Sequence, residues 1–188
     1  MSKVWPITLR VGDISLRPLS LRDRAQWNGV RAENKEWLAP WESSLPQTPD
    51  KSEVPPTFRQ MLKFQKSEAK AGRSFSFGIF HGKTLIGQIN LSGIALGALR
   101  GGHIGYWIDR NYSSRGYITD AVNAVTTFAF TKLYLHRLEI AVRPENAASL
   151  RVAEKAGYNF ESERKNFIHI DGQWRDHVVF VKLNESIR

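Results

Sequence analysis

Cysteine is absent from this sequence, and methionine occurs only twice in 188 residues. The first absence removes disulfides, thiolate metal sites and a cysteine nucleophile together, so any chemistry must run through oxygen and nitrogen side chains. Long apolar runs are missing too. None approaches the roughly 20 residues that a membrane helix needs, and the opening MSKVWPITLR lacks the apolar centre of a secretory signal. A cytoplasmic protein with no membrane partner is expected. No internal repeat or low-complexity tract is present. Gly82-Lys83-Thr84 has the ending of a phosphate-binding P-loop, but Phe77 stands where its first glycine belongs and a strand pattern follows. Neither a Gly-x-Gly-x-x-Gly fingerprint nor a Gly-x-Ser-x-Gly elbow occurs. His81, His103, His136, His169 and His177 are too far apart for a recognised ligand spacing. They read as surface or strand histidines, and no metal is expected.

What is present is positive charge and an ordinary globular balance. Lys and Arg number 27 against 18 Asp and Glu, a formal net charge of +9, while hydrophobic residues make up 41% and charged residues 24%. Such a composition suits one domain over residues 1–188 with a core of its own. The charge asks for an anionic partner: a nucleic acid, a phosphorylated cofactor or an acidic protein surface. The basic residues are scattered, and Lys63, Lys66 and Lys70 read as the solvated face of a helix.

The order of elements follows from hydrophobic period and turn residues. Ile7–Arg10 and Ile14–Arg17 are short strands around Gly12-Asp13. Ser20 caps a helix reaching about Glu33, and the segment Trp37–Pro49, with its prolines and two tryptophans, reads as an ordered loop. Pro55–Ala71 is helical. Phe75–Phe80, Thr84–Ser92 and His103–Asp109 form an antiparallel meander. Then the period changes. Ile118, Ala121, Val122, Val125, Phe128 and Ala129 share one face of a helix over Gly116–Leu133. A strand at His136–Val142, a helix at Ala147–Ala156 and paired strands at Tyr158–Ile170 and Trp174–Leu183 complete the chain. Helices between strands predict an α/β, mixed α+β chain rather than an all-β sandwich.

The stretch Tyr112-Ser-Ser-Arg-Gly-Tyr-Ile118 places an arginine and a glycine where a helix begins. Helix N-termini carry unpaired N–H groups and the positive end of the dipole, so a turn feeding one can hold a phosphate. Gly116 lets the backbone come close and Arg115 adds a full charge. A plain strand-to-helix turn has the same local pattern.

Four segments carry a resemblance that spacing alone does not: Gly102-His-Ile-Gly-Tyr-Trp-Ile-Asp109, Ser114-Arg-Gly-Tyr-Ile-Thr-Asp-Ala121, Arg143-Pro-Glu-Asn-Ala-Ala-Ser-Leu150 and Glu154-Lys-Ala-Gly-Tyr158. They resemble the acetyl-CoA-binding core of the GNAT superfamily. Ser15-Leu-Arg-Pro-Leu19 and Asp171-Gly-Gln-Trp-Arg-Asp-His177 extend the similarity to its RimJ/RimL group of ribosomal-protein N-terminal acetyltransferases. The resemblance implies a mixed, mostly antiparallel central sheet with helices on both faces and acetyl-CoA as cofactor. It assigns the diphosphate to the turn Ser113, Ser114, Arg115, Gly116, Tyr117, Ile118 and Thr119. The pantetheine arm falls along the strand Ile104, Gly105, Tyr106, Trp107 and Ile108 as an added strand would. Asn146 matches an asparagine near the reactive end of the cofactor, although it also suits the N-cap of the following helix. Ser149 matches a serine near the thiol, both a cofactor contact and a candidate donor to the leaving thiolate. Relatives usually carry Gln or Arg at the position of Ser113 and Gly or Ala at that of Ile118, so fewer phosphate contacts and a bulkier turn are expected here.

The implied reaction moves an acetyl group from a thioester to an amine, which attacks only when neutral. An α-amino group with a pKa near 8 is about 10% neutral at pH 7, a lysine near 10.4 roughly 0.04%. A protein or peptide N-terminus, such as that of a ribosomal protein, therefore needs the least help. Where some relatives place a glutamate and a tyrosine, this chain has Ala141 and Ala153. Glu139, two residues away on the same strand face, is the candidate base, acting through a water. Trp37, Trp41 and Glu42 are candidate walls of a peptide groove. A small-molecule amine acetyltransferase acting on an amino acid, polyamine or aminoglycoside is the alternative, and a non-catalytic ribosome- or nucleic-acid-associated module is a third reading. No direct nucleic-acid readout is expected, and the chain is expected to be a monomer or homodimer.

Overall fold

The computed structural model describes residues 4–46 and 55–187. Their strands are β1 (Leu9–Val11), β2 (Ile14–Arg17), β3 (Phe75–His81), β4 (Thr84–Ala95), β5 (Gly101–Ile108), β6 (Arg137–Val142), β7 (Asn159–Ile170) and β8 (Gln173–Leu183). The helices are α1 (Arg24–Glu33), α2 (Lys35–Leu38), α3 (Phe58–Ala71), α4 (Tyr117–Lys132) and α5 (Ala147–Lys155). The strands make one eight-stranded sheet in the order β1-β2-β3-β4-β5-β6-β8-β7. Every neighbouring pair is antiparallel except β5 and β6. This is the mixed, mostly antiparallel sheet that the resemblance implies. Among the described residues no helix is long and apolar enough to cross a membrane.

Helices cover both faces. The α4 stripe Ile118, Ala121, Val122, Val125, Phe128 and Ala129 is buried throughout. Phe128 meets Phe75 and Phe77 of β3 edge-on at centroid distances of 5.3 and 6.0 Å, a favourable aromatic arrangement. On the opposite face Val30 of α1 packs with Phe80 and Leu85, flanked by Trp27 and Trp107. The β3–β4 ladder steps from Ile79↔Gly87 to Phe80↔Leu85, so Ile86 is an extra residue. That bulge lets Ile86 join the α4 core while Leu85 faces α1.

Local chemistry sets the boundaries. The Thr57 side chain accepts from the Gln60 N–H, and Gln60 Oε1 accepts from the Thr57 N–H at 2.8 Å. This capping box starts α3 three residues after Pro55. Asp23 accepts from the Ser20 N–H at 2.7 Å and from both Arg17 nitrogens at 2.9 and 2.7 Å. It closes a single 3-10 turn (Leu21–Asp23) before α1. The segment Trp37–Pro49 departs from the expected loop. Its start belongs to α2 and a 3-10 turn at Ala39–Trp41, with Pro40 early in the turn, where its missing N–H costs nothing. Residues 47–49 of that segment lie outside the described residues.

Candidate functional site

The site begins where two strands part. β5 and β6 are in register only at Gly101↔Arg137, Gly102↔Leu138 and His103↔Glu139. Beyond that point Ile104–Ile108 stays paired with β4, and Ile140–Val142 with β8. The edges of β5 and β6 that face each other there have no strand between them. A cavity of about 950 Å³ opens in this gap, walled by both strands and by the N-terminal turns of α4 and α5.

The α4 end of the cavity has the geometry of an anion site. Ser114 has φ +60° and Gly116, the N-cap of α4, has φ +86°. No side chain caps the helix, and its first residues line the cavity, so the amides that a helix start leaves without intrahelical partners stand at the cavity wall. A Cβ on Gly116 would meet no atom within 4 Å, which leaves room for a ligand against the backbone. Arg115 is exposed and its guanidinium lies 5.4 Å from the Tyr112 ring centroid. The Ser113 hydroxyl is turned away, donating to the Arg110 carbonyl at 2.8 Å. Ile118 is only 7% exposed and belongs to the main core, so much of the bulk expected to crowd the turn is taken up there. Arg151 and Lys155, on the exposed face of α5, add positive charge to the lining.

At the other helix terminus the Asn146 carboxamide accepts from the Ser149 N–H at 3.0 Å. It is the N-cap of α5 and a cavity-lining residue at once. The Tyr106 hydroxyl of β5 lies 3.4 Å from the Ser149 carbonyl, to which it donates across the cleft. Burial pushes its pKa up to about 12, so it remains a neutral donor.

The third wall is built by α1, α2 and the residues after them. Asn34 ties this wall to the end of β5, donating to Val30 O (2.9 Å) and Asp109 Oδ1 (3.1 Å) and accepting from the Arg110 N–H (2.8 Å). Trp37 Nε1 donates to the Ile108 carbonyl at 3.2 Å. Arg143 donates to the Pro40 carbonyl at 2.7 Å and lies 5.4 Å from the Trp41 ring centroid. Glu42 is paired with Arg31. Ser43 bridges Ile170 of β7, and Ser44 accepts from the Gly172 N–H at 3.0 Å. The tryptophans are thus pinned to the framework and still face the cavity, with Ile168, Ile170 and His177 across from them.

All the residues that the resemblance assigned to the cofactor line this one cavity, as do Trp37, Trp41 and Glu42. Glu139 is not in the lining. Its carboxylate is held by Arg137 at 2.8 Å and Arg164 at 3.0 Å, with His103 at 3.6 Å. Ala141, on the same strand face, does line the cavity. Sequence reasoning missed Trp27, Gln88 and Asn90, a hydrogen-bonded relay on the cavity floor (Trp27 Nε1 to Gln88 Oε1 3.2 Å, Gln88 Nε2 to Asn90 Oδ1 3.1 Å). It also missed Arg143 and His177. The alternation of β8 was the available signal for His177, which is 3% exposed; burial holds its pKa below the usual histidine value.

Comparisons with known proteins agree with this geometry. Residues 13–159 match the model of the acetyltransferase (GNAT) domain. The chain is 35% identical over 173 residues to a Bacillus subtilis protein named "Probable N-acetyltransferase YjcK", covering 91% of this chain and 94% of that one. It is 28% identical over 180 residues to the [ribosomal protein uS5]-alanine N-acetyltransferase of Escherichia coli, covering 95% and 91%. Among solved structures, Mycobacterium smegmatis RimJ in complex with CoA-disulfide superposes with a TM-score of 0.86 at 31% identity, covering 97% of this chain and 90% of that one.

Proposed function

The chain belongs to the GNAT acetyltransferase domain family, and from that membership and its two-ended cavity we propose that it acetylates the N-terminal α-amine of a protein or peptide. The coarser activity is plain: it is an acetyl-CoA-dependent N-acetyltransferase related to ribosomal-protein acetyltransferases. The residues present fit the donor. The open space above Gly116 and the uncapped start of α4 suit a diphosphate, and the unpaired edge of Ile104–Ile108 suits an extended amide-bearing arm. Bound there, acetyl-CoA supplies an activated acyl group. Ser113–Thr119 would hold its phosphates, and Asn146 and Ser149 would border its reactive end.

The observation that carries the peptide reading is the acceptor wall: Trp37, Trp41, Glu42 and Ser43 line the cavity together with Ile168, Ile170 and His177 of β7 and β8, and the bridge from Ser43 to Ile170 closes that wall on one side. The cavity has room for a chain end, and an α-amine needs little activation. The lining is rich in cations, with Arg31, Arg115, Arg143, Arg151 and Lys155, which disfavours polyamines and aminoglycosides. In this reading Glu139 serves structure, because its oxygens are already engaged by two arginines. A ribosomal protein is the acceptor that the name of the Escherichia coli relative suggests. The test is coenzyme A release across a panel of short peptides differing in their first residues, run beside spermidine and free amino acids. Release with peptides and none with spermidine supports the reading. The reverse result overturns it.

A further inference from the structure

From the geometry of β8 we propose that His177 is the base that takes the proton from the attacking amine. This rests on the acetyl-transfer reading above and adds a residue to it. His177 follows the Ala141↔Val179 and Val142↔Val178 pairs between β6 and β8, next to the point where β6 ends. Paired residues share a face, as do residues two apart on a strand. His177 therefore stands on the face of Ala141 and Val179, and it lines the cavity with Ala141.

One nitrogen of the imidazole is engaged and the other is not. Its Nδ1 lies 3.0 Å from the Arg175 carbonyl. A carbonyl only accepts, so Nδ1 carries the hydrogen, and in the neutral ring Nε2 bears the lone pair. Among the described residues Nε2 has no hydrogen-bond partner, nor is it a fully buried orphan. Phe167 holds the ring edge-on, with centroids 6.0 Å apart at 75°.

The charges around it come from three elements. Arg143, just beyond β6, opposes protonation, while Asp176 on β8 and Glu145 before α5 favour it. Arg164, opposite His177 on β7, has its guanidinium on Glu139 and over Phe167. Burial outweighs these and holds the imidazolium below the ordinary histidine range, so the ring is a free base at neutral pH. Of the other titratable groups in the lining, Asp120 lies in the first turn of α4 at the donor end, and the rest are spent or too weak. Glu42 is paired with Arg31, Glu145 with Arg143, and Tyr106 titrates near 12.

In the step proposed, the lone pair of the neutral amine forms a bond to the acetyl carbonyl carbon. The proton leaving nitrogen passes to Nε2, directly or through one water. The C–S bond breaks with its electron pair on sulfur, and the imidazolium returns its proton to solvent.

The experiment compares His177→Gln with the wild type on a peptide that the wild type acetylates. The expected result is a fall in kcat of about 100-fold or more, typical of a lost general base, with acetyl-CoA affinity by calorimetry unchanged. The acid limb that the wild-type kcat/KM profile owes to the imidazole should vanish, leaving only the limb of the amine itself. A kcat within about threefold and an unaltered pH profile would overturn the proposal, because proton transfer by a positioned base accounts for at least two orders of magnitude. Histidine 15N NMR of the wild type settles the case where the variant fails to fold. His177 with an unprotonated Nε2 at pH 7 supports the assignment, and an Nε2–H tautomer or an imidazolium sinks it. If the wild type ignores every peptide but acetylates another amine, the peptide reading fails alone, and the same variant is judged on that amine.

Discussion

Replacing Gly116 by alanine separates what the turn costs the free protein from what it does for the donor. At φ +86° an L-residue is strained, by roughly 1–2 kcal/mol. The new methyl group meets no protein atom within 4 Å, so no clash adds to that cost. In a chain of this size the melting temperature should drop by a few degrees, at about 2–4 °C per kcal/mol. Gly172→Ala is the matched control. It has φ +75°, the same empty surroundings, and a place in the β7–β8 turn on the acceptor side. The two variants should lose similar stability and part company in calorimetry with coenzyme A. At position 116 the methyl group fills space assigned to the diphosphate. Losing even one charge-assisted amide contact costs about 1.5–3 kcal/mol, or roughly 10- to 100-fold in affinity. Gly172→Ala should bind like the wild type. Equal affinity for all three proteins refutes the phosphate turn, and equal loss in both variants attributes the effect to backbone strain alone.

Three further outcomes are expected. Arg17 holds the Asp23 carboxyl down to about 2, from an ordinary 3.8, so the stability it contributes is complete above about pH 4 and is lost as pH falls through 2. That contribution is about 2 kcal/mol, so in urea unfolding Asp23→Asn should lose about that much less between pH 6 and pH 2; parallel losses would exclude the pairing. Arg143→Met removes the donor to Pro40 and the cation beside Trp41. It should raise the peptide KM on the order of tenfold with coenzyme A affinity kept, and an unchanged KM would remove this wall from acceptor binding. With no cysteine available and the donor and acceptor ends of the cavity open at once, initial rates with both substrates varied should give intersecting double-reciprocal lines; parallel lines would mean an acetylated enzyme.

How far the sequence speaks depends on the range of the interaction. The α4 stripe was legible because six apolar side chains at helical spacing allow one buried face, and each of them is buried. The meander was legible because hairpins pair neighbours in sequence. The parting of β5 from β6 was not, since a period of two says that a strand exists and nothing about where its partnership ends. Trp37–Trp41 looked like a loop because the prolines of Trp37–Pro49 outweighed the short helical turns that Asn34, Arg143 and Ile108 hold in place. Glu139 shared a strand face with the expected active position, but its two arginine partners lie on β6 itself and on β7. His177 looked like the other four histidines until the β6–β8 register set it on the face of Ala141.

The same parting has a mechanical consequence. Five strands, β1 to β5, lie on one side of the three-rung seam at Gly101–His103, and β6, β8 and β7 on the other. β1 lies at one edge of the sheet and β8, the last strand in the chain, lies beyond the seam, so a pull applied to the two chain ends must cross it. Within the sheet the joint is narrow, with the shared α4 core as its other connection, and a ligand lying along β5 in the gap acts as a splint. Under load the force needed to open this seam should be higher when the gap is filled than in the free protein.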